Sequence, residues 1–303
     1  MDKLRPNWRH WTPFNARHPE TQHIRVTVMN RSLIGLIALF ATACGGGETA
    51  PVKPKPAPAK TETAKDAPKA SEAKSDAPKK DTKKAAGGSQ DWAASMGTAT
   101  VSGKIAFKGD APVMAAIDMA SDAKCGAENT EETIVVSAGG LANVIISVSS
   151  GLEGYKFADG TGKVMVDQKG CRYIPHVIAL QAGQEISIAN SDDTVHNVHS
   201  YSKRNIAFNQ AQPAGTAAIE KKMGRKDKMF PIKCDMHSWM NCHVAVFDHP
   251  FFIVSGADGS FTLPKLPAGS YTLTAEHEVL DKQTAEVTVA DNGTATVNFT
   301  FSK

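Results

Sequence analysis

The sequence predicts an all-β protein, and three observations predict it. From about Gly97 onward, apolar residues recur at even spacing in short runs, as at Val101, Ile105 and Phe107, which is the pattern of a strand with one buried face. Turn formers such as Lys108-Gly109-Asp110-Ala111-Pro112 and Asp258-Gly259 separate those runs, where the chain must reverse between strands. No segment of this region sustains a 3.6-residue period, so no helix has an apolar stripe to bury.

The chain before Gly97 reads differently. Residues 1–28 carry three of the ten His and mix Arg, His, Pro and Trp without an apolar period. At Met29 the pattern changes: Asn30-Arg31-Ser32 forms a positive start, Leu33 to Phe40 a short apolar core, and Ala41-Thr42-Ala43-Cys44 a small-residue end. Residues 29–44 thus have the plan of a secretory signal and are too short to span a bilayer as a helix. Translation is expected to begin at Met29, with 1–28 an upstream extension. Cys44 resembles the lipid-modified Cys of bacterial lipoproteins, with Ala41 where that family usually has Leu. That resemblance implies a lipid anchor on the periplasmic side of a membrane, with Gly45 after the Cys favouring the outer one. Ordinary signal cleavage and release to the periplasm is the alternative.

Residues 45–95 are rich in Pro, Ala and Lys and repeat Asp66-Ala67-Pro68-Lys69 as Asp76-Ala77-Pro78-Lys79. They hold almost nothing bulky and apolar, so ordering them would cost backbone entropy without return. A disordered, Pro-extended tether is expected. A net charge of +3 and no aromatics interleaved with Lys or Arg give no sign of a nucleic-acid partner.

Residues 96–250 are expected to form the first folded domain. Thr133-Ile134-Val135-Val136 reads as a strand, and Leu141 to Val148 as a second, apolar on both faces and therefore central. Cys125 and Cys171 stand apart from the other Cys of this region; in an oxidising compartment a disulfide between them is expected.

The chemistry concentrates in Cys234-Asp235-Met236-His237-Ser238-Trp239-Met240, reached through the β-patterned Met229-Phe230-Pro231-Ile232-Lys233, and in Val195-His196-Asn197-Val198-His199. A tight loop after a strand can turn Cys234 and His237 toward one point, and Met240 can close it from the side. His196 would come from a neighbouring strand. Two imidazoles, a thiolate and a weak thioether suit copper in both oxidation states. Zinc wants four firm ligands, and a thioether is a poor one.

His-Asn-Val-His at 196–199 and Cys-x-x-His-x-x-Met at 234–240 resemble the cupredoxins, the blue copper proteins of amicyanin and plastocyanin type. The likeness continues through Pro175-His176-Val177 and Ala182-Gly183-Gln184 into Ile186 to Asn190. It implies a Greek-key β-sandwich with His196, Cys234, His237 and Met240 as copper ligands. It also implies that Asn197 ties the two ligand loops together through hydrogen bonds. His237, in an exposed loop flanked by Ser238 and Trp239, would be the exit for the electron.

The other His have plainer readings. His199 is three residues from His196 along a strand and so faces the other way. His243 reads as structural, His176 could line the region near the metal, and His249 belongs to the turn Asp248-His249-Pro250. Cys242 has no evident partner. Lys221, Lys222, Arg225, Lys226 and Lys228 form a basic group that reads as a solvated loop or as a docking face for an acidic partner.

Residues 251–303 are expected to form a second β unit. Asp258-Gly259-Ser260-Phe261 with Leu266-Pro267-Ala268-Gly269-Ser270-Tyr271 resembles carboxypeptidase regulatory-like domains, small transthyretin-like sandwiches. At this length the unit is short for that fold, so it is expected to recruit the strand near Val101 to Phe107.

Together these readings describe a membrane-tethered periplasmic copper protein carrying single electrons between redox proteins. Four protein ligands leave no open position for substrate, so it is not expected to be an enzyme. Copper delivery or sequestration is the alternative, and a cell-envelope binding module with a vestigial metal site a second. If translation starts at Met29, mass spectrometry of the protein from its native cells finds no peptide upstream of that residue; one such peptide overturns the expectation.

Overall fold

Alternating apolar runs become strands throughout the part of the protein that the structure, a computed structural model, describes: residues 89–303 apart from residue 127. The extension 1–28, the signal-like segment 29–44 with Cys44, and the linker 45–95 up to residue 88 lie outside the described residues. Among the described residues there are β-strands and two short 3-10 turns, Ala94–Met96 and Ala123–Cys125, and no α-helix. The protein is all-β.

Two sheets build the half that carries the Cys and His motifs. One has four strands in the order Tyr173–Ile174, Lys163–Gln168, Glu185–Asn190 and Ile219–Lys222. The other has five, in the order Val177–Gln181, Asn241–Phe247, Asp227–Lys233, His196–Ser200 and Asn209–Gln212. Val166, Ile186 and Ile188 from the first sheet share one core with Ile178, Leu180, Val198, Phe230, Ile232, Val244 and Val246 from the second. Each fully buried side chain of this kind contributes about 2 kcal/mol of apolar transfer energy. Two pairings are parallel, Lys163–Gln168 with Glu185–Asn190 and Val177–Gln181 with Asn241–Phe247, so the chain crosses between the sheets instead of meandering within one.

A second body forms around the C-terminal residues. Thr100–Phe107 lies between Ser260–Thr262 on one side and Thr294–Thr296 and Phe299–Phe301 on the other. Gly103 makes that crossing possible, since a Cβ there would lie 1.7 Å from the carbonyl oxygen of Val297. Ile145–Ser150 runs between Phe252–Val254 and Gly269–Glu276. Val101, Ile105, Phe107, Ile146 and Val148 thus share a core with Phe251, Phe261, Leu273 and Phe301. The sequence suggests one domain over 96–250 from which the tail recruits the strand near Val101 to Phe107; packing gives the tail that strand and Ile145–Ser150 as well. Local pattern fixes which residues are strands, but only the apolar faces available for pairing decide which body receives them.

The run Leu141 to Val148 does form the inner strand expected of it, though it begins at Ile145. Gly140–Leu141 is a separate short strand, and the chain breaks between them at Asn143, which adopts φ 62°, a left-handed conformation that Asn tolerates better than most residues. Thr133 to Val136 contributes only the short strand Val136–Ser137. The outer face of the five-stranded sheet meets the second body through Val177 and Ala245 against Ile145, with Val254 alongside.

His249 sits where the two bodies join, ringed by Phe157, Phe247 and Phe251. Its Nδ1 accepts a hydrogen bond from the Phe251 N–H at 3.1 Å. Burial pushes its pKa down to about 4 from an ordinary 6.5. The unfolded chain therefore takes up the proton first, and the stabilisation present above pH 6.5 is lost as pH falls toward 4. That window is worth about 3 kcal/mol. Denaturant unfolding at pH 7 and pH 4 should show the stability difference between the two shrinking by about that much in His249→Phe, whatever the substitution costs at either pH alone.

Candidate metal centre

Strand register brings the two motifs together. His196–Ser200 runs antiparallel to Asp227–Lys233, with His199 opposite Lys233 and Ser200 opposite Ile232. Continuing that register past the end of the ladder sets His196 and Asn197 against the loop that follows Lys233. The loop closes on itself through the Cys234 N–H to the Met240 carbonyl at 3.1 Å and the Met240 N–H to the His237 carbonyl at 2.9 Å.

At this end of the sandwich the His196 and His237 Nδ1 atoms are 2.9 Å apart, and Cys234 Sγ lies 3.7 Å from His237 Nδ1. Ligand atoms of His196, Cys234 and His237 all fall within 4.8 Å of one another. All three residues are buried, as is Met240.

The outward nitrogens explain the inward ones. His196 Nε2 is 2.9 Å from Asp192 Oδ2, and His237 Nε2 is 3.2 Å from Asp122 Oδ2. A carboxylate accepts, so each imidazole carries its proton on Nε2 and turns a lone pair inward from Nδ1. Two lone pairs 2.9 Å apart beside a sulfur repel one another unless a positive charge lies between them. Burial also lowers the pKa of His196, against the opposing pull of Asp192, so that ring is held neutral and able to donate its pair. The donor set therefore fits a metal ion.

Asn197 joins the two loops. Its Oδ1 accepts from the Asp235 N–H at 2.6 Å and the Met236 N–H at 3.3 Å. Its backbone N–H is directed at Cys234 Sγ at 3.4 Å, a contact that steadies negative charge on sulfur. Its Nδ2 donates to Asn209 and Asp235. His199 points away from the centre, bonds Asp235 at 3.0 Å and stacks on Tyr201.

One expectation is overturned. His237 is not an exposed edge: it is 3 % exposed, because the turn Ala123–Cys125 and its cap Asp122 lie over it. Asp122 accepts from the Lys124 N–H at 2.8 Å and the Thr194 hydroxyl at 2.6 Å. Those bonds, the Thr194 one foremost, lower its pKa and keep it ionised. Cys125 and Cys171 form a disulfide that fastens this cap to the sandwich. The Trp239 indole N–H donates to the Cys171 carbonyl at 3.1 Å, with its ring against His237. Both disulfide sulfurs also come within reach of His237, but a disulfide has no thiolate to give. Cys242 is a free thiol in the core, and burial pushes its pKa far up.

Asp122, Asp192 and Thr194 are the residues that sequence reading missed. Asp192 stands four residues before His196, a spacing that could have suggested it. Asp122 has no signal near either motif, and only folding brings it there.

Compared with known proteins, residues 240–302 match the carboxypeptidase regulatory-like domain family. The match begins inside the ligand loop and covers the tail. No curated protein matches the chain. Among solved structures, an oxidised proline-to-glycine mutant of amicyanin is 18 % identical, covering 34 % of this chain and 98 % of its own, at a TM-score of 0.26. A purple cupredoxin from Nitrosopumilus maritimus is 18 % identical over 27 % of this chain and 98 % of its own, at a TM-score of 0.24. A copper-containing nitrite reductase from Thermus scotoductus is 15 % identical over 29 % of this chain, at a TM-score of 0.27. The chain spans only 23 % of that reductase's length. The cupredoxin likenesses lie over about 30 % of this chain, and the match to the carboxypeptidase regulatory-like family lies at its C-terminus.

Removing the disulfide by Cys125→Ala with Cys171→Ala frees a loop spanning a sequence separation of 46, for which loop entropy gives a loss of about 4 kcal/mol. Calorimetry should show that destabilisation. Hydrogen exchange at the His237 loop should rise with it, and unchanged exchange would mean the cap is held by other contacts.

Proposed function

We propose that the protein is a copper-binding electron carrier, tethered through Cys44 on the periplasmic side of a bacterial membrane. The observation that carries the metal reading is the pair of inward Nδ1 lone pairs beside Cys234 Sγ, each imidazole held by its own carboxylate. Mixed sulfur and nitrogen donors favour copper among the first-row metals. His196, Cys234 and His237 would hold it, with Met240 of the same loop as the weak fourth ligand. Copper there would take up and release one electron.

The chain's own residues would keep the cost of that change small. Asp192 and Asp122 fix both rings, and Asn197 fixes the sulfur, so the donors are set before the metal changes charge. The buried surroundings exclude water and raise the effect of each nearby dipole. Because the cap covers His237, an electron passing to a redox protein would cross the cap and Trp239 instead of a bare imidazole edge. This enclosure favours retention of copper over its delivery. No substrate position is needed for this role, in keeping with a carrier and not an enzyme. The basic residues Lys221, Lys222, Arg225 and Lys228 are the surface we assign to docking a redox partner. Lys226 is paired with Asp248 at 3.0 Å.

Copper added to the purified protein should produce an intense visible thiolate-to-copper absorption that vanishes in Cys234→Ser. Repeated reduction and reoxidation should leave the metal in place in the presence of a competing apo-protein. Colour followed by ready surrender of copper would instead support a delivery role, and absence of colour would sink the copper reading.

A further inference from the structure

A second constellation of ligand-type side chains lies at the junction of the two bodies, away from Cys234. His243 is on strand Asn241–Phe247, opposite Val177, and its N–H donates to the His176 carbonyl at 2.8 Å. The two rings are therefore neighbours, with centroids 5.5 Å apart. On this strand Val244 and Val246 face the core of the sandwich, so His243 and Ala245 face the second body. Glu278, just past strand Gly269–Glu276, reaches in from that body. Its Oε1 is 2.6 Å from His176 Nε2, and its Oε2 is 3.3 Å from His243 Nδ1.

We propose that His176, His243 and Glu278 form a second metal site, one that takes a divalent cation of the zinc type. Ligand atoms of the three residues all lie within 4.8 Å of one another. The side chains of His176 and Glu278 are only 8 % and 6 % exposed. A carboxylate so buried needs a positive partner. His243 Nδ1, although buried and close to the carboxylate, makes no hydrogen bond. His243 Nδ1 and the Glu278 carboxylate, which the His176 ring hydrogen-bonds at 2.6 Å, thus converge on one space. A cation bound there would displace the proton that His176 shares with Glu278 and join all three side chains.

Two imidazoles and a carboxylate are a donor set that zinc accepts. The absence of sulfur from this trio selects against copper(I), which prefers soft ligands. A cleft of about 170 Å³, lined by Arg172, Glu131, Glu132, Trp239 and Asn241 among others, reaches the His176 side of the trio. Lys233 is the nearby opposing charge acting on His243. His277 stays outside the trio: its ring lies near Phe301. Because Glu278 belongs to one body and both His to the other, a bound ion would fasten the tail to the sandwich that carries Cys234.

The test is zinc uptake by the full chain, measured by equilibrium dialysis and elemental analysis. Wild type should bind one more zinc ion than Glu278→Gln, a change that keeps side-chain volume, and one more than His243→Ala. Zinc should raise the melting temperature of wild type and of Cys234→Ala, and leave that of Glu278→Gln unmoved by this site. Equal zinc uptake in wild type and Glu278→Gln overturns the proposal, as does loss of all zinc in Cys234→Ala. Both results are independent of whether copper gives colour at Cys234, so either site can fail without the other.

Discussion

Two imidazoles turned nitrogen to nitrogen are the constraint on which the rest of the structure depends. With Nδ1 atoms 2.9 Å apart and both outward nitrogens on carboxylates, neither ring can relieve the repulsion by moving its proton without abandoning a charge-assisted hydrogen bond. The surroundings serve to hold that arrangement. Asp192 is itself fixed by the N–H groups of Gly170 and Cys171 at 2.6 and 2.8 Å. Asp122 is fixed by Thr194 and by its place as cap of a turn whose last residue is disulfide-bonded. A metal ion bound there would find its donor atoms already in place.

The same disulfide links the two carboxylates. Cys171 donates its N–H to Asp192, while its bonded partner Cys125 ends the turn that Asp122 begins. One covalent bond thus braces both halves of the centre. It also explains why His237 is enclosed, since the segment that supplies its carboxylate has to lie over it.

Strand Asn241–Phe247 ties the centre to the rest of the protein. It follows directly from Met240, lends Val244 and Val246 to the core beneath the ligands, and turns His243 and Ala245 toward the tail. A strand with two buried faces transmits position from one body to the other because neither face can shift without opening a packed core. The segment that matches the carboxypeptidase regulatory-like family, which begins at residue 240, is accordingly part of the support for the loop from Cys234 to Met240.

Sequence alone determined the all-β class and the strand before Cys234, which follow from local pattern, with side chains alternating along a strand. That the Cys-x-x-His-x-x-Met loop should face His196 is an expectation drawn from the resemblance to cupredoxins and not from any local period. The recruitment of Thr100–Phe107 by the tail was also legible, because the tail alone offers too few strands to cover its apolar faces. Tertiary structure decided the rest: the transfer of Ile145–Ser150 to the second body, the burial of His237 beneath Asp122, and the meeting of His176 and His243 with Glu278. They include contacts between residues 102, 115 and 122 positions apart, and no periodicity encodes them. They are settled when apolar faces from distant segments compete for burial, and the polar side chains go where that competition carries them.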